Sequence, residues 1–350
     1  MTLSQIRIVG CGLIGTSIGL AAVAKGLSVE MVDTDPRAQS LARDLVKSEP
    51  GTDIGLVIFA IPVGSLSAVL DSEFALNPSA AFIDVASVKT KVKVEVSTSS
   101  LTSARFLPTH PMAGREVGGA ESARADLFQG RAWVIDSQGV DHDVVDAGKE
   151  LISLLGAHLI DLPAADHDRA VALVSHLPQL MATLLAKQLV GADGQWLDLA
   201  GAGLRDTTRI AASDPQLWKE IIASNHQALR PLLESLRVDI AHLLETLEDQ
   251  GQIAHLIEQG RVGRALIPGK HGGKAREYTH LPIVIEDKPG QLAALFDECA
   301  KAKVNVEDLS IEHSPEQFTG LITLALSARD ADTLSEHLLS NGWNVHPARR

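Results

Sequence analysis

The run Gly10-Cys11-Gly12-Leu13-Ile14-Gly15 constrains this chain more than any other feature. It follows an apolar stretch, Ile6–Val9, that reads as a strand, and it opens a stretch with helical patterning. In that setting the three glycines have separate tasks. Gly10 permits the tight turn, Gly12 lets a pyrophosphate approach the backbone, and Gly15 lets the helix pack closely on the strand. The helix start adds unpaired N–H groups and a positive dipole end for the phosphates. A dinucleotide-binding βαβ unit is therefore expected, with Gly10, Gly12, Leu13, Ile14 and Gly15 at the cofactor. Asp33 closes the second expected strand, where a carboxylate accepts from both ribose hydroxyls and repels a 2′-phosphate, so NAD is favoured over NADP. Arg37 stands close enough to blur that preference. Asp35 reads as a helix N-cap ahead of Pro36.

The rest of the composition narrows the class. At 350 residues the chain has room for two or three domains. Thirty-one Lys and Arg against 44 Asp and Glu give a net charge of −13, so no global positive field attracts nucleic acid or an anionic membrane. The longest nearly unbroken apolar run, 54–63, is interrupted by Gly55 and Pro62 and is well short of the ~20 residues of a membrane span. The chain starts without a signal-peptide pattern, and its two cysteines, Cys11 and Cys299, form neither a disulfide framework nor a metal-ligand cluster. A cytoplasmic protein without a metal site is expected.

From Ile6 to about Leu162, apolar β-branched runs alternate with helical patterns around a largely parallel sheet. Strands are expected at 6–9, 29–32, 56–60, 81–85, 105–107, 133–135 and 158–160. From Pro163 the texture becomes all-helical, and Leu229, Leu232, Leu233, Leu236, Ile240, Leu243 and Leu244 fall at steps of three and four along one face. A glycine-rich linker at 269–277 then leads into strand and helix patterns in the order βαββαβ, a small ferredoxin-like module. The expected architecture is α/β: a Rossmann-type doubly wound domain at 1–162, an all-α substrate and dimerisation domain at 163–268, and the module at 278–350. The helices of the middle block carry more apolar face than one thin layer covers, so a homodimer through this block is expected.

Three further runs have the residue types of a reaction centre. Asp84-Val-Ala-Ser87-Val-Lys89 follows a strand and brings a hydroxyl to the end where open α/β sheets bind ligands. Thr109-His110-Pro-Met-Ala-Gly114-Arg-Glu116 presents an imidazole between prolines on a rigid loop. Arg205-Asp-Thr-Thr-Arg209 and Trp218 lie in the helical block. With Ser175-His176-Leu-Pro-Gln179 and the C-terminal module, which is similar to an ACT domain, these runs resemble the prephenate dehydrogenase family and its arogenate-using relatives over essentially the whole chain.

The resemblance implies an NAD-dependent oxidative decarboxylation of prephenate in tyrosine biosynthesis: a hydride leaves C4 of a cyclohexadienol, the ring carboxylate leaves as CO2, and the ring aromatises to 4-hydroxyphenylpyruvate. His110 would accept the C4 hydroxyl proton, a task suited to an imidazole near pH 7. Ser87 would hydrogen-bond that hydroxyl or orient the imidazole. Arg209 would bind a substrate carboxylate through its bidentate fork, the alternative being a helix-surface ion pair. Trp218 would wall the pocket or fill the helical core. Glu116 would gate or polarise the site, or stand as an exposed loop carboxylate. Lys89 would add positive potential near the cofactor, or be a solvated lysine in the run with Lys91 and Lys93. His176 would touch substrate or simply pack in its helix.

Gln179 replaces a second histidine that many prephenate-specific members carry. A neutral amide that both donates and accepts is compatible with a keto-acid or an amino-acid side chain, so arogenate stays open as the substrate. In the module, Asp287, Pro289, Gly290 and Asn305 match the turn where ACT-like domains bind a small amino acid, which implies an aromatic amino acid as effector. Two other readings are a β-hydroxyacid dehydrogenase, for which Lys187 would have to serve as acid and base, and a non-catalytic NAD and amino-acid sensor.

Overall fold

The computed structural model describes residues 3–48, 53–100, 103–115, 117–267, 278–312 and 318–348. The chain divides into two compact units, residues 1–245 and 246–350. The expected linker 269–277 and Glu116 lie outside the described residues.

The first unit begins with alternating strands and helices: β1 (Gln5–Val9), α1 (Leu13–Val23), β2 (Ser28–Val32), α2 (Pro36–Val46), β3 (Leu56–Phe59), α3 (Leu66–Leu76), β4 (Ala81–Asp84), α4 (Thr90–Ser97) and β5 (Phe106–Leu107). The five strands form one parallel sheet in the order β2-β1-β3-β4-β5. Both faces are covered, which explains why the strands read as nearly continuous apolar runs. Ile6, Ile8, Leu56, Ile58 and Ile83 pack into one buried cluster, and Val57, Phe59, Phe82 and Phe106 into another. Chain order reverses between β1 and β3, and in such sheets ligands bind beyond the carboxyl ends of the strands at that crevice.

One expectation needs correction here. The later strands do not extend the parallel sheet. β6 (Thr109–Pro111), β7 (Ala132–Ile135) and β8 (His158–Asp161), with α5 (His142–Leu154) before β8, form a separate three-stranded sheet. In it β6 runs antiparallel to β7, with His110 opposite Val134. His110 therefore sits on a short strand rather than a loop. A three-residue strand closed by Pro111 is too short to show period-two patterning.

The helical part contains α6 (Ala164–Val171), a π-helical segment at Ala172–His176, α7 (Leu177–Lys187), α8 (Gly194–Leu197), α9 (Ala202–Thr208), α10 (Pro215–Ser224) and α11 (His226–Glu245). Asp214 caps α10, its carboxylate accepting from Gln216 N–H at 2.8 Å. Ala164–Lys187 is one continuous rod, long and apolar enough on length and composition to cross a bilayer. Its buried face nevertheless carries polar groups: His167, Asp168, His176 and Gln179 are buried beside Ala164, Val171, Ala172 and Ala182. On α11 Leu229 is buried, whereas Val238, Ile240 and Leu244 are 58%, 54% and 68% exposed. Those three apolar side chains are open to solvent.

The second unit holds α12 (Gln250–Ala265) and then β9 (Thr279–Glu286), α13 (Gln291–Lys301), β10 (Asp308–Glu312), β11 (Thr319–Leu326), α14 (Ala328–Ser340) and β12 (Asn344–Val345). Its antiparallel sheet has the order β10-β11-β9-β12, the arrangement of a ferredoxin-like βαββαβ module. Leu281, Ile283, Leu295, Leu324, Leu334 and Leu338 form its core.

Candidate active site

The glycine turn has the geometry its sequence promised. Gly10 has φ of 109°, and a Cβ there would lie 2.2 Å from the Ala60 carbonyl oxygen. A Cβ on Gly15 would lie 2.0 Å from the Gly10 carbonyl oxygen, so α1 can start against β1 and β3 only with glycine here. Gly12 has open space around it, with nothing within 4 Å of a built Cβ. This bare backbone at a helix N-terminus fits a diphosphate. Asp33 is held by Cys11 N–H on Oδ2 at 2.6 Å and by Asp35 N–H on Oδ1 at 2.9 Å, and each oxygen keeps lone-pair capacity for a ribose hydroxyl. Asp35 caps α2 by accepting from Arg37 N–H at 2.9 Å. A cavity of about 950 Å³ starts at Gly12, Leu13 and Ile14 and runs past Ser87 to Trp218.

His110, His167 and Asp168 are not among the residues lining this cavity; they form a chain of imidazoles that ends on a carboxylate. His110 Nδ1 is 2.9 Å from His167 Nε2, and His167 Nδ1 is 2.8 Å from Asp168 Oδ1. Asp168 is tied down by the N–H groups of Lys89 and Thr90, at 2.7 and 2.9 Å, where α4 begins. Burial alone would raise the Asp168 carboxyl, but hydrogen bonds from His167, Lys89 and Thr90 bring it down to about 2, so it is ionised at neutral pH.

The pattern of donors then assigns the tautomers. Ionised Asp168 accepts from His167 Nδ1–H; His167 Nε2 accepts from His110 Nδ1–H; His110 Nε2 is left with a lone pair. Burial, followed by the neighbouring His167 and the Lys89 charge, holds His110 well below the ordinary imidazole range. It is a neutral base.

The strand that carries His110 is fixed from beneath. Lys89 is fully buried, and its ammonium bonds to the Asp84 carboxylate and the Thr109 carbonyl. Asp84 also accepts from Thr109 N–H at 3.0 Å, and the Thr109 hydroxyl accepts from Trp133 Nε1–H at 2.9 Å. Burial pushes the Lys89 ammonium down and the Asp84 carboxyl up, and each opposes the shift in the other. Lys89 is thus neither a solvated lysine nor a cavity-lining one; its charge is spent on Asp84.

Comparison with known proteins decides the family. Residues 10–161 match the nucleotide-binding domain of prephenate dehydrogenase, and residues 163–259 match its dimerization domain. The chain belongs to the prephenate dehydrogenase family. It is 31% identical to the probable prephenate dehydrogenase NovF of Streptomyces niveus, over 96% of this chain and 98% of that one. Among solved structures, Synechocystis arogenate dehydrogenase superposes with a TM-score of 0.63 at 28% identity, over 74% of this chain and 98% of that one. Prephenate dehydrogenase from Aquifex aeolicus, solved with hydroxyphenyl propionate and NAD+, shares the fold with a TM-score of 0.67 at 23% identity, over 75% of this chain and 98% of that one.

Other predicted residues of this dehydrogenase have varied positions. Ser87 and Trp218 line the cavity. His176 is buried in the π-helical segment, its Nδ1 3.1 Å from Asn225 Nδ2 and its ring edge-on to Trp218 at 6.1 Å. Burial lowers its pKa to about 4, against an opposing pull from Asp168. It supports the Trp218 wall and does not line the cavity. Gln179 is buried and donates to the Ile210 carbonyl at 3.0 Å. Arg209 starts the 3-10 turn Arg209–Ala212, is exposed and does not line the cavity, although Ser213 four residues on does. Asp287, Pro289, Gly290 and Asn305 are exposed, with Gly290 at φ of 91° in the β9–α13 turn and Asn305 donating to Glu307 at 3.0 Å.

Sequence reasoning missed His167, Asp168 and Asn225. Asn225 donates to the Asp168 carbonyl at 2.8 Å and closes the network from the α10–α11 junction. One signal was available: Asp166-His167-Asp168-Arg169 puts four charged or titratable residues at the start of an otherwise apolar helix.

Proposed function

We propose that this dehydrogenase carries out the NAD-dependent oxidative decarboxylation of prephenate to 4-hydroxyphenylpyruvate, with His110 as the proton acceptor. The observation that carries the reading is the Asp168–His167–His110 chain, which leaves an unprotonated Nε2 on a neutral imidazole. When bound, the nicotinamide supplies the hydride acceptor. Gly12 and the start of α1 bind its diphosphate, and Asp33 takes the ribose. Ser87 hydrogen-bonds the C4 hydroxyl. His110 Nε2 takes the hydroxyl proton as the C4–H bond breaks and returns it to the phenol oxygen when the ring carboxylate has left as CO2. His167 and Asp168 keep the imidazole in the tautomer that accepts, and they stabilise the imidazolium that forms.

A second reading is arogenate as substrate: the likeness to Synechocystis arogenate dehydrogenase favours it, and Gln179, a neutral amide, is compatible with an amino-acid side chain as well as a keto acid. Initial rates with prephenate and arogenate, each with NAD and NADP, test the assignment. Turnover of prephenate with NAD is expected, and its absence overturns the reading. The stripe on α11 pairs two copies into a homodimer, and the C-terminal module takes an aromatic amino acid at the Gly290 turn. Absence of heat on titrating the full-length protein with aromatic amino acids would remove that effector role. Cytoplasmic residence accords with relatives that are biosynthetic enzymes.

A further inference from the structure

The lysine run at the start of α4 divides three ways, and one member has no task in the reaction as described. Lys89 is buried on Asp84. Lys93, one turn on and therefore on the same side of the helix, pairs with Asp136 at 2.8 Å. Lys91 falls between them and points the other way, into the cavity that Ser87 and Trp218 line. It is half-buried, and among the described residues its ammonium makes one long contact, 3.4 Å to the Ser224 hydroxyl at the end of α10.

Two other cations line the cavity. Arg115 donates to the Ser122 carbonyl at 2.9 Å, and exposed Lys219 is engaged by Gln216. The acids there are Asp214, which caps α10, and exposed Glu220. Neither forms an ion pair with Lys91 among the described residues. A half-buried ammonium whose side-chain contact among the described residues is the long one to Ser224 calls for an anion.

We propose that Lys91 binds the carboxylate that the substrate keeps, the one on the side chain of the cyclohexadienyl ring. The inference rests on the dehydrogenase reading above. Two carboxylates enter the site and only one leaves with the product. The departing ring carboxylate must give its electron pair to the ring, and a cation beside it would hold that charge in the ground state and slow the loss of CO2. The retained carboxylate has the same charge before and after the step, so a fixed cation there holds the substrate without opposing the chemistry.

The test is Lys91→Met beside the conservative Lys91→Arg, with melting temperature as the check on folding and Lys91→Gln as a second neutral variant. Steady-state kinetics give KM for prephenate and for NAD; product inhibition gives Ki for 4-hydroxyphenylpyruvate, which keeps only the side-chain carboxylate. In both neutral variants KM for prephenate and Ki for the product are expected to rise together by about tenfold or more. KM for NAD stays as in the parent, and arginine restores most of the loss. Unchanged KM for prephenate overturns the proposal, as does a rise confined to NAD. A raised KM with unchanged product Ki puts the cation on the ring carboxylate and also overturns it. If the parent enzyme oxidises arogenate and not prephenate, the substrate assignment fails, and the same series run with arogenate and tyrosine decides Lys91 by the same criteria. If neither is oxidised, both readings fall.

Discussion

Asp168→Asn tests the reasoning about the imidazole chain because the structure gives both a stability and a rate effect. The folded carboxyl titrates at about 2 against an ordinary 3.8, which corresponds to about 2 kcal/mol of stability from its ionised form. A depressed carboxyl contributes above its unfolded pKa, and the contribution is lost as pH falls through the folded value. The amide adds a mismatch. Oδ1 of Asp168 accepts from Lys89 N–H and His167 Nδ1, and Oδ2 accepts from Thr90 N–H, so either amide orientation sets an NH2 against a donor. A buried unpaired donor costs about 1–3 kcal/mol. Urea unfolding at pH 7 should show the variant less stable by about 3 kcal/mol. The gap should narrow as the pH is lowered from 4 toward 2, where the parent carboxylate takes up its proton. kcat should fall by about 10²-fold or more, because His110 loses the charge that stabilises its protonated form, while NAD binding, measured by fluorescence titration, is kept. A variant with normal kcat would refute the relay even if it were unstable, since packing alone predicts a stability effect without a rate effect.

Other outcomes follow from the same geometry. In the parent enzyme kcat/KM should rise with pH through a value below 6.5 and stay flat across neutrality, because burial and His167 keep His110 unprotonated; a rising limb above 6.5 would remove His110 as the base. His176, lowered to about 4 by burial, should cost about 3 kcal/mol of stability between pH 6.5 and 4, because the unfolded chain binds the proton first. Unfolding midpoints across that range measure it, and a flat profile contradicts the burial argument. Gly15→Ala, whose Cβ would meet the Gly10 carbonyl oxygen at 2.0 Å, should lower the melting temperature. Gly12→Ala has free space in the folded chain and should leave melting unchanged while raising KM for NAD; the reverse order would break the cofactor assignment. Replacing Ile240 and Leu244 together with arginine should convert a dimer to a monomer in sedimentation equilibrium, and an unchanged mass would clear α11 of that role.

The parts of the fold that were legible in the sequence are those set by local chemistry. The glycines of the first turn announce themselves because each is required by a contact within a few residues or by the strand beside it, Gly15 against Gly10 and Gly10 against Ala60. Strands covered on both faces read as unbroken apolar runs, and the α11 stripe is visible at helical spacing. The sequence could not say what covers that stripe, since periodicity identifies an apolar face but not its partner. Thr109–Pro111 was illegible as a strand because three residues show no period, and its pairing with β7 is made more than twenty residues away.

The proposed catalytic chain was only half legible for a similar reason. His110 stood out by its setting, but His167 is 57 residues further on and Asn225 a further 58, and no spacing rule connects them. They converge because the start of α4 offers two backbone N–H groups to Asp168, and α6 leads from β8 with His167 and Asp168 on its buried side. The five-residue π-helical segment that follows brings His176 to Asn225; such segments are frequent at functional sites and have no sequence signature. The three lysines show the limit most clearly. They are alike in sequence and two apart, and each meets a different fate: one buried under the strand of His110, one paired on Asp136, one in the cavity. Net charge argues against a nucleic-acid partner for an acidic chain, but attraction for an anionic substrate depends on which side of one helix each lysine takes. That is settled by Asp84 and Asp136, acids from other parts of the sheet system, and not by the run itself.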